Sequence, residues 1–528
     1  MAAEAAPPPQ SPPDVDPRSG FCAATRTFHS LRPTVPLPPP SLPLSFPSFA
    51  FSFLPSSPLP SHPALIDAAN GDAISYPELL SQIRSLAAAL RSSGAVSKGD
   101  VAFILSPLPS HPALIDAANG TSSTAHKLPS NLPTILLDSP RFRSFLQISE
   151  SYPTVEAVVI RQSDSAAILY SSGTTGRVKG VLLTHRNLIA ATAPLAAAAS
   201  AAAAAPAARM LLTVPLFHAY GFAFCLKAAA VGETAVIQTE RFDAKRTLKA
   251  VARFRLTHLA LAPPAVLALV KFREAGCAGA ASVGDVSSLA VVTCSGAPIG
   301  TDLIRRFLAS FPNARLTQGY GLTETTTGVF RFHGEEASQR IGSVGRLVWG
   351  CEAKIVDSGT GIALPPGARG ELWIRGPLIM QGYIGDERST SEILNSEGWF
   401  KTGDLCYIDD DGFLFILDRL KELIKYKGYQ VPPAELEHLL QTHPEITEAA
   451  VIPYPDENAG QVPIAFVVRQ PNSTLNEAQV TEFVSQQVAP YKKIRRAIFV
   501  ESIPKNASGK TLRKDLVQVA FSRLQSKL

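Results

Sequence analysis

The chain reads as a multidomain α/β protein, and three observations predict this. Its 528 residues exceed what a single hydrophobic core holds, so two or more domains are expected. From Thr134 to Cys294, short apolar strands alternate with amphipathic or alanine-rich helices, the rhythm of layered, largely parallel sheets. Past Glu352 the pattern changes to short strands and turns, and near Arg419 a last, small α/β unit begins.

Residues 1–60 are proline-rich with little apolar periodicity, which predicts loop or disorder. Ala64–Asp67 and Ala73–Tyr76, joined through Asn70-Gly71-Asp72, predict a β-hairpin. Leu79, Ile83, Leu86 and Leu90 recur at helical spacing over Tyr76–Ser92, and Val101–Leu105 reads as a buried strand. Further strands are expected at Thr134–Leu137, Ala157–Ile160, Ala166–Tyr170, Met210–Pro215, Ala235–Ile237, His258–Ala262 and Ala290–Cys294. Lys354–Val356, Gly370–Arg375 and Gly412–Leu417 follow in the region of short strands. The division is therefore 1–60, 61–417 and 418–528.

One feature is anomalous: residues 57–71 recur letter for letter as 106–120. A diverged structural repeat keeps its apolar pattern and loses its surface residues, so this identity marks a recent duplication, a splicing variant or an assembly error. The second copy runs into a polar, turn-rich stretch with no element to complete, and the first subdomain is expected to be incomplete.

Composition narrows the function. Hydrophobic residues make up 46% and charged residues 18%, and a net charge of +5 over this length carries no basic block or stripe, so nucleic-acid binding is not expected. The six cysteines are scattered, without the short spacing of zinc or redox sites, and read as small buried apolar residues. The N-terminus lacks a secretory pattern, and no stretch reads as a membrane span. The final Ser526-Lys527-Leu528 reads as the address recognised by the peroxisomal import receptor.

The segment Leu169–Val181 carries the most specific chemistry. A strand leads into Ser171, Ser172, Gly173, Thr174, Thr175 and Gly176, followed by Lys179 and a second strand. Two glycines admit a close anion, the hydroxyls and N–H groups donate to phosphate oxygens, and the lysine adds a point charge. The spacing is not that of a Walker loop, and alone such a turn is as readily a plain connection. In Gln318-Gly-Tyr-Gly-Leu-Thr-Glu324, Tyr320 suits stacking on a purine, and Glu324 suits Mg²⁺ that bridges nucleotide phosphates. Asp404, ending Trp399–Asp404, suits a ribose diol. Asp418–Gly428 is basic and punctuated by apolar residues, and Pro504–Lys510 lifts Lys510 on a glycine loop.

Ser171–Lys179, Tyr320–Glu324, Thr402–Asp404, Arg419 and Ser508–Lys510, in this order, resemble the adenylate-forming superfamily of acyl-CoA ligases, luciferases and peptide-synthetase adenylation domains. Within it the chain is most similar to plant 4-coumarate–CoA ligase-like proteins of the peroxisomal branch, over roughly residues 60–105 and 130–528. The resemblance implies a large N-terminal domain of layered sheets with a small β-barrel-like subdomain, and a small mobile α/β C-terminal domain.

By that resemblance, Ser171–Gly176 and Lys179 cradle the ATP phosphates, and Asp404 and Arg419 hold the ribose. Ala297, Pro298, Gln318, Gly319, Tyr320 and Thr323 wall the adenine and acyl-adenylate. His218 and Tyr220, in Pro215–Tyr220, sit beside the substrate carboxylate, although alone His218 reads as a core histidine. Lys421 and Lys425 are assigned to the acyl-adenylate, although alone they read as a solvated helix face. Lys510 bridges carboxylate and α-phosphate, Asp418 is the hinge, Glu324 holds Mg²⁺, and Arg241, Lys427 and Gly428 serve CoA.

Three departures stand out. Ser295–Ile299 is one residue short of the family pattern, Trp373 replaces a cysteine of true 4-coumarate ligases, and the duplicated block interrupts the first subdomain. The expected function is an ATP-dependent acid:CoA ligase for hydroxycinnamates or fatty and oxylipin-type acids. The alternatives are a catalytically impaired acyl- or nucleotide-binding homologue, a luciferase-like oxygenase, or an adenylation domain loading a carrier protein.

Overall fold

The computed structural model describes residues 14–54, 58–93, 97–102, 135, 139–147, 158–171, 178–201, 207–238, 240, 242–275, 283–333, 336, 340–505 and 511–525. The duplicated copy at 106–120, and most of the strands expected at 101–105 and 134–137, lie outside these residues.

The largest sheet has nine strands among the described residues. Its centre is parallel: Arg315–Gly321, Val291–Cys294, His258–Leu261, Arg209–Leu212, Thr234–Ile237 and Pro63–Asp67 lie side by side in that order. Strands covered on both faces need continuous apolar character, and Met210, Leu211 and Leu212 are all buried. The helix Ala244–Phe254 closes one face through Leu248 and Val251, and Asp243 caps it by accepting from the Arg246 N–H at 2.7 Å. The hairpin Pro63–Asp67 with Ala73–Ser75 forms as the turn residues predict.

The helix Tyr76–Ser92 also forms, with Ser75 as its cap and proline in its first turn. It buries Tyr76, Ser85 and Ala89 instead of the expected apolar stripe, and Ile83 stays 38% exposed. Val101, Val158 and Val159, which flank the duplicated region in sequence, are exposed as well. The strand expected at 157–160 is absent over 158–160, which have no regular structure.

The barrel-like subdomain is a six-stranded antiparallel sheet that includes Glu352–Val356, Gly370–Arg375, Phe400–Ile408 and Leu414–Arg419. Its far edge comes from the proline-rich N-terminal segment. There Phe21–Cys22 and Thr27–His29 pair, and Phe28 is 1% exposed. The short helix Phe46–Phe51 adds buried Phe46 and Phe49. Most of residues 14–54 is loop and turn, as expected, but these three short elements and their buried aromatics, which no periodicity announced, pack the segment against the rest of the chain.

Among the described residues the C-terminal unit folds around a five-stranded sheet dominated by Ile446–Asp456 and Gly460–Arg469, flanked by the helices Pro433–Gln441, Glu477–Ser485 and Arg513–Gln525. The five described cysteines are all free. No described helix is long and apolar enough to cross a membrane.

Asn187 joins two layers. Its Oδ1 accepts from the N–H and hydroxyl of Thr184, and its Nδ2 donates to the carbonyls of Pro377 and Ile379 at 2.8 and 2.9 Å. Replacing Asn187 with Ala strands these buried groups and is expected to cost roughly 2–3 kcal/mol. Thermal unfolding of the variant, compared with wild type, measures the loss.

Candidate functional site

A cleft of about 2710 Å³ opens between the N-terminal sheets and the C-terminal unit. Its wall at the ends of the central strands holds Ala297, Pro298, Gln318, Gly319, Tyr320, Thr323 and Glu324. Ser171, Lys179, His218, Tyr220, Asp404, Asp418, Arg419 and Lys421 line it too. Segments hundreds of residues apart in sequence therefore share one space.

The cleft is organised around Asp404, which is 3% exposed. It lies directly across the antiparallel pair from Arg419, whose Nε reaches Asp404 Oδ1 at 3.0 Å. Tyr320, arriving from the central sheet, donates its hydroxyl to Asp404 Oδ2 at 2.5 Å. Burial first, then the Asp404 charge, hold the Tyr320 phenol well above its usual range, so it stays a donor. Burial works against the Arg419 charge, but Asp404 and its neighbours outweigh it and raise the guanidinium above its usual value.

Ser171 and Lys179 face each other at the base of an antiparallel pair, at the mouth of the hydroxyl-rich loop. Ser171 Oγ is buried and has no hydrogen-bond partner among the described residues, a donor left for an incoming oxygen. Ser172, Gly173, Thr174, Thr175 and Gly176 lie outside the described residues, as do Arg241, Lys510 and Ser526–Leu528.

Glu324 accepts a hydrogen bond at Oε1 from the Tyr383 hydroxyl at 2.8 Å, and the Lys179 ammonium stands 4.6 Å from the centre of the same ring. Burial, then Glu324, raise the Tyr383 phenol far above its usual value. Tyr383 was invisible to the sequence reading. It reaches the site because Gly382-Tyr383 pairs with Val181-Leu182, and no spacing announces that pairing. Among the described residues no group of three or more His, Cys, Asp or Glu is arranged to hold a metal ion. A lone carboxylate still fits Mg²⁺, which keeps waters and takes its other ligands from substrate phosphates.

His218 caps the helix Ala219–Val231 and accepts from the Tyr220 N–H through Nδ1. Tyr220 turns its hydroxyl into the sheet, donating to the Thr293 carbonyl at 2.7 Å, so only its ring is left for a ligand. Gly221 lets this helix start close against the turn that precedes it, since a Cβ there would strike the Pro215 carbonyl.

Asp418 is buried beside the start of the helix Pro433–Gln441 and accepts from the N–H groups of Ala434 and Arg419 at 2.9 and 2.7 Å. Next to it Arg513 pairs with Glu437 at 2.8 Å and with Glu422 at 3.3 Å. The basic segment after Arg419 is not a helix, which corrects that reading of Lys421 and Lys425. Glycine and the alternating pattern favour strands here, and Ile424–Tyr426 and Tyr429–Val431 form a hairpin. Lys427 and Gly428 fill its two-residue turn with φ of 46° and 83°, as a type I′ turn requires. Lys425, Lys427 and Gly428 do not line the cleft, whereas Lys505 and Thr511, which bracket the loop bearing Lys510, do.

The AMP-binding enzyme family matches residues 114–384, and its C-terminal domain matches residues 435–510. A 4-coumarate–CoA ligase-like 6 protein of Oryza sativa subsp. japonica is 46% identical, the alignment covering 96% of this chain and 92% of that protein. A peroxisomal OPC-8:0-CoA ligase 1 of Arabidopsis thaliana is 42% identical over 96% of this chain and 99% of its own length. Among solved structures, o-succinylbenzoate CoA synthetase from Bacillus subtilis in complex with its acyl-adenylate intermediate aligns with a TM-score of 0.70 at 26% identity. That alignment covers 89% of this chain and 97% of the synthetase.

The buried cluster of Asp418, Glu437 and Arg513 sets a pH dependence. Burial, only partly offset by Arg513, pushes the Glu437 carboxyl up from 4.5 to about 7. Burial raises Asp418 from its usual 3.8 in the same sense. The folded C-terminal unit then holds a proton that the unfolded chain releases, so the stability Glu437 contributes is fully present below pH 4.5 and is lost as pH rises through about 7. Melting curves across that window are expected to show this slope, and Glu437→Gln is expected to flatten it.

Proposed function

Because this chain belongs to the AMP-binding enzyme family of adenylate-forming acid:CoA ligases, we propose that it activates a carboxylic acid with ATP and transfers the acyl group to CoA. In the first step the acid's carboxylate attacks the α-phosphorus of ATP, giving acyl-AMP and pyrophosphate. In the second the thiol of CoA attacks the acyl carbon, giving the thioester and AMP. The observation that carries this reading is the buried Tyr320–Asp404–Arg419 array, which points a fixed polar edge at a cleft that also receives Ser171 and Lys179.

In this proposal Asp404, its charge balanced by Arg419, accepts from the ribose hydroxyls. Ala297, Pro298, Gln318, Gly319, Tyr320 and Thr323 bound the adenine and the acyl-adenylate. Ser171–Gly176 and Lys179 receive the phosphates. Glu324, steadied by Tyr383, would hold Mg²⁺, which would supply positive charge against the nucleotide phosphates. His218 stands beside the carboxylate, and Lys421 beside the acyl-adenylate. Lys510 bridges carboxylate and α-phosphate as charge develops.

Rotation about Asp418 then withdraws Lys510 and brings Lys427 and Gly428 to the thiol, with Arg241 on the CoA phosphate. That Lys505 and Thr511 line the cleft while Lys427 does not supports the adenylating orientation here. The acid is of the hydroxycinnamate or fatty and oxylipin type, the latter favoured by the similarity to the peroxisomal OPC-8:0-CoA ligase. Peroxisomal import through Ser526, Lys527 and Leu528 belongs to the same proposal, and the location of a fluorescent fusion with and without these residues tests it.

Purified protein with ATP, Mg²⁺ and a panel of acids is expected to release pyrophosphate with one acid class and to form the thioester when CoA is added. Silence across the panel would favour an impaired binding homologue. Adenylate without thioester would favour a carrier-loading domain. Lys510→Ala is expected to slow adenylation about 10²–10³-fold, as loss of one charge-stabilising donor does, while supplied acyl-adenylate still yields thioester. Tyr383→Phe is expected to raise the Mg²⁺ concentration for half-maximal rate about 10–100-fold, read from Mg²⁺ titrations of the same assay.

A further inference from the structure

The loop that carries Lys510 is closed at its base. Lys505 and Thr511 form an isolated antiparallel bridge, and the Leu512 N–H donates to the Pro504 carbonyl at 2.8 Å. Those contacts join the two ends of the loop to each other. The side chain of Lys505 ties this base to the neighbouring strand, through an ion pair with Glu448 in which each side chain is 28% exposed. Glu448, Lys505 and Thr511 all line the cleft.

Glu448 reaches that position through an irregularity in its own strand. Ile446 is paired with Arg469 and Glu448 with Val468, which leaves Thr447 as an extra residue. In a regular strand residues two apart share a face. With the extra residue, Ile446 turns into the core that holds Val451 and Val467, whereas Glu448 takes the opposite face, that of Ala450 and Ile452. Ile503 and Leu516, which flank the loop in sequence, pack on this second face, so Glu448 stands at the loop's base. The Thr447 hydroxyl is buried without a hydrogen-bond partner among the described residues. A bulge that orphans a buried hydroxyl is costly, and what it places here is the Glu448 carboxylate.

A second cation feels the same carboxylate from the other side of the cleft. Lys271 lies in the last turn of the helix Pro263–Glu274, which belongs to the layer on the central sheet. Burial, then Arg306, lower its ammonium below the usual range, whereas Glu274 and Glu448 act in the other direction. Glu274 is engaged by Arg306 through hydrogen bonds of 2.9 and 2.6 Å. Glu448 is the anion that the C-terminal unit brings to Lys271. The two units touch close by: a Cβ on Gly300, ahead of the helix Thr301–Ser310, would lie 3.7 Å from the ring of His438. The pair of Glu448 with Lys505 lies within one unit and travels with it. The attraction to Lys271 crosses the seam and holds only while the units keep this orientation.

We propose that Glu448 is a positioning residue for acyl-adenylate formation, one carboxylate that steadies the base of the lysine-bearing loop through Lys505 and favours this orientation through Lys271. The proposal rests on the acid:CoA ligase reading and on Lys510 acting in its first step. Glu448 acts through these two cations and not on the reacting atoms, so its loss lowers kcat for adenylation and leaves KM for ATP unchanged.

The test uses the full chain and the acid that the panel shows to be turned over. Glu448→Gln is expected to lower kcat for pyrophosphate release roughly 10–100-fold, as a misplaced catalytic group does. Thioester formation from supplied acyl-adenylate is expected to keep its rate. Glu448→Asp, which retains the charge, is expected to recover most of kcat. Adding Lys505→Met to Glu448→Gln is expected to cost little beyond Glu448→Gln alone, since both remove one interaction. Lys271→Met, in the other unit, leaves the pair with Lys505 intact and is expected to slow adenylation by a smaller factor. Hydrogen exchange at the Leu512 amide reads the loop's base without any acid, and its protection is expected to fall in Glu448→Gln and to persist in Lys271→Met. An unchanged kcat, an equal fall in both half-reactions, or undiminished protection in Glu448→Gln would each overturn the proposal. Lost protection while no acid releases pyrophosphate would sink the ligase reading and leave Glu448 standing as the clasp of the loop.

Discussion

A carboxylate buried at the junction of two sheets governs this structure. Asp404, almost without access to water, would be intolerable as an isolated charge. Arg419 and Tyr320 make it tolerable, and in doing so they tie three parts of the chain together. Tyr320 ends a strand of the central parallel sheet, Asp404 and Arg419 lie on neighbouring antiparallel strands, and the residue before Arg419 is the proposed hinge. The proposed edge for nucleotide recognition and the proposed pivot of the C-terminal unit thus share one set of strands.

The proposed pivot has its own electrostatics. Asp418 accepts from the first turn of the helix Pro433–Gln441, where backbone N–H groups lack partners of their own. Arg513 answers Glu437 and Glu422 from the last helix of the chain. These contacts fix the orientation in which Lys505 and Thr511 face the cleft, and they are polar, so they exchange for water more readily than an apolar seam would.

Legibility varied with the range of the interaction. The hairpin at Pro63–Ser75 and the parallel strands from Arg209 to Cys294 were readable because turn residues and apolar runs act over a few positions. The short elements of the proline-rich N-terminus were missed, since Phe28, Phe46 and Phe49 are single anchors: Phe28 is buried by a sheet far along the chain, and Phe46 and Phe49 by the cluster around Leu183 and Leu188. Lys421 and Lys425 were read as a helical face because charge spacing alone does not distinguish a solvated helix from a short edge hairpin. Tyr383, Glu437 and Glu448 carried no local signal at all.

The sequence by itself determined the alternation of strands and helices, the turn chemistry, and the motifs at Ser171–Lys179, Gln318–Glu324 and Thr402–Asp404 that mark the family, because each is a property of contiguous residues. Only the tertiary structure decided which of these residues meet. Asp404 faces Arg419 by sheet register, Glu324 gains Tyr383 by a two-residue strand pairing, and Glu448 turns toward Lys505 by one extra residue in its strand. Register is settled by the burial of whole faces, a property of the assembled core that no single segment carries.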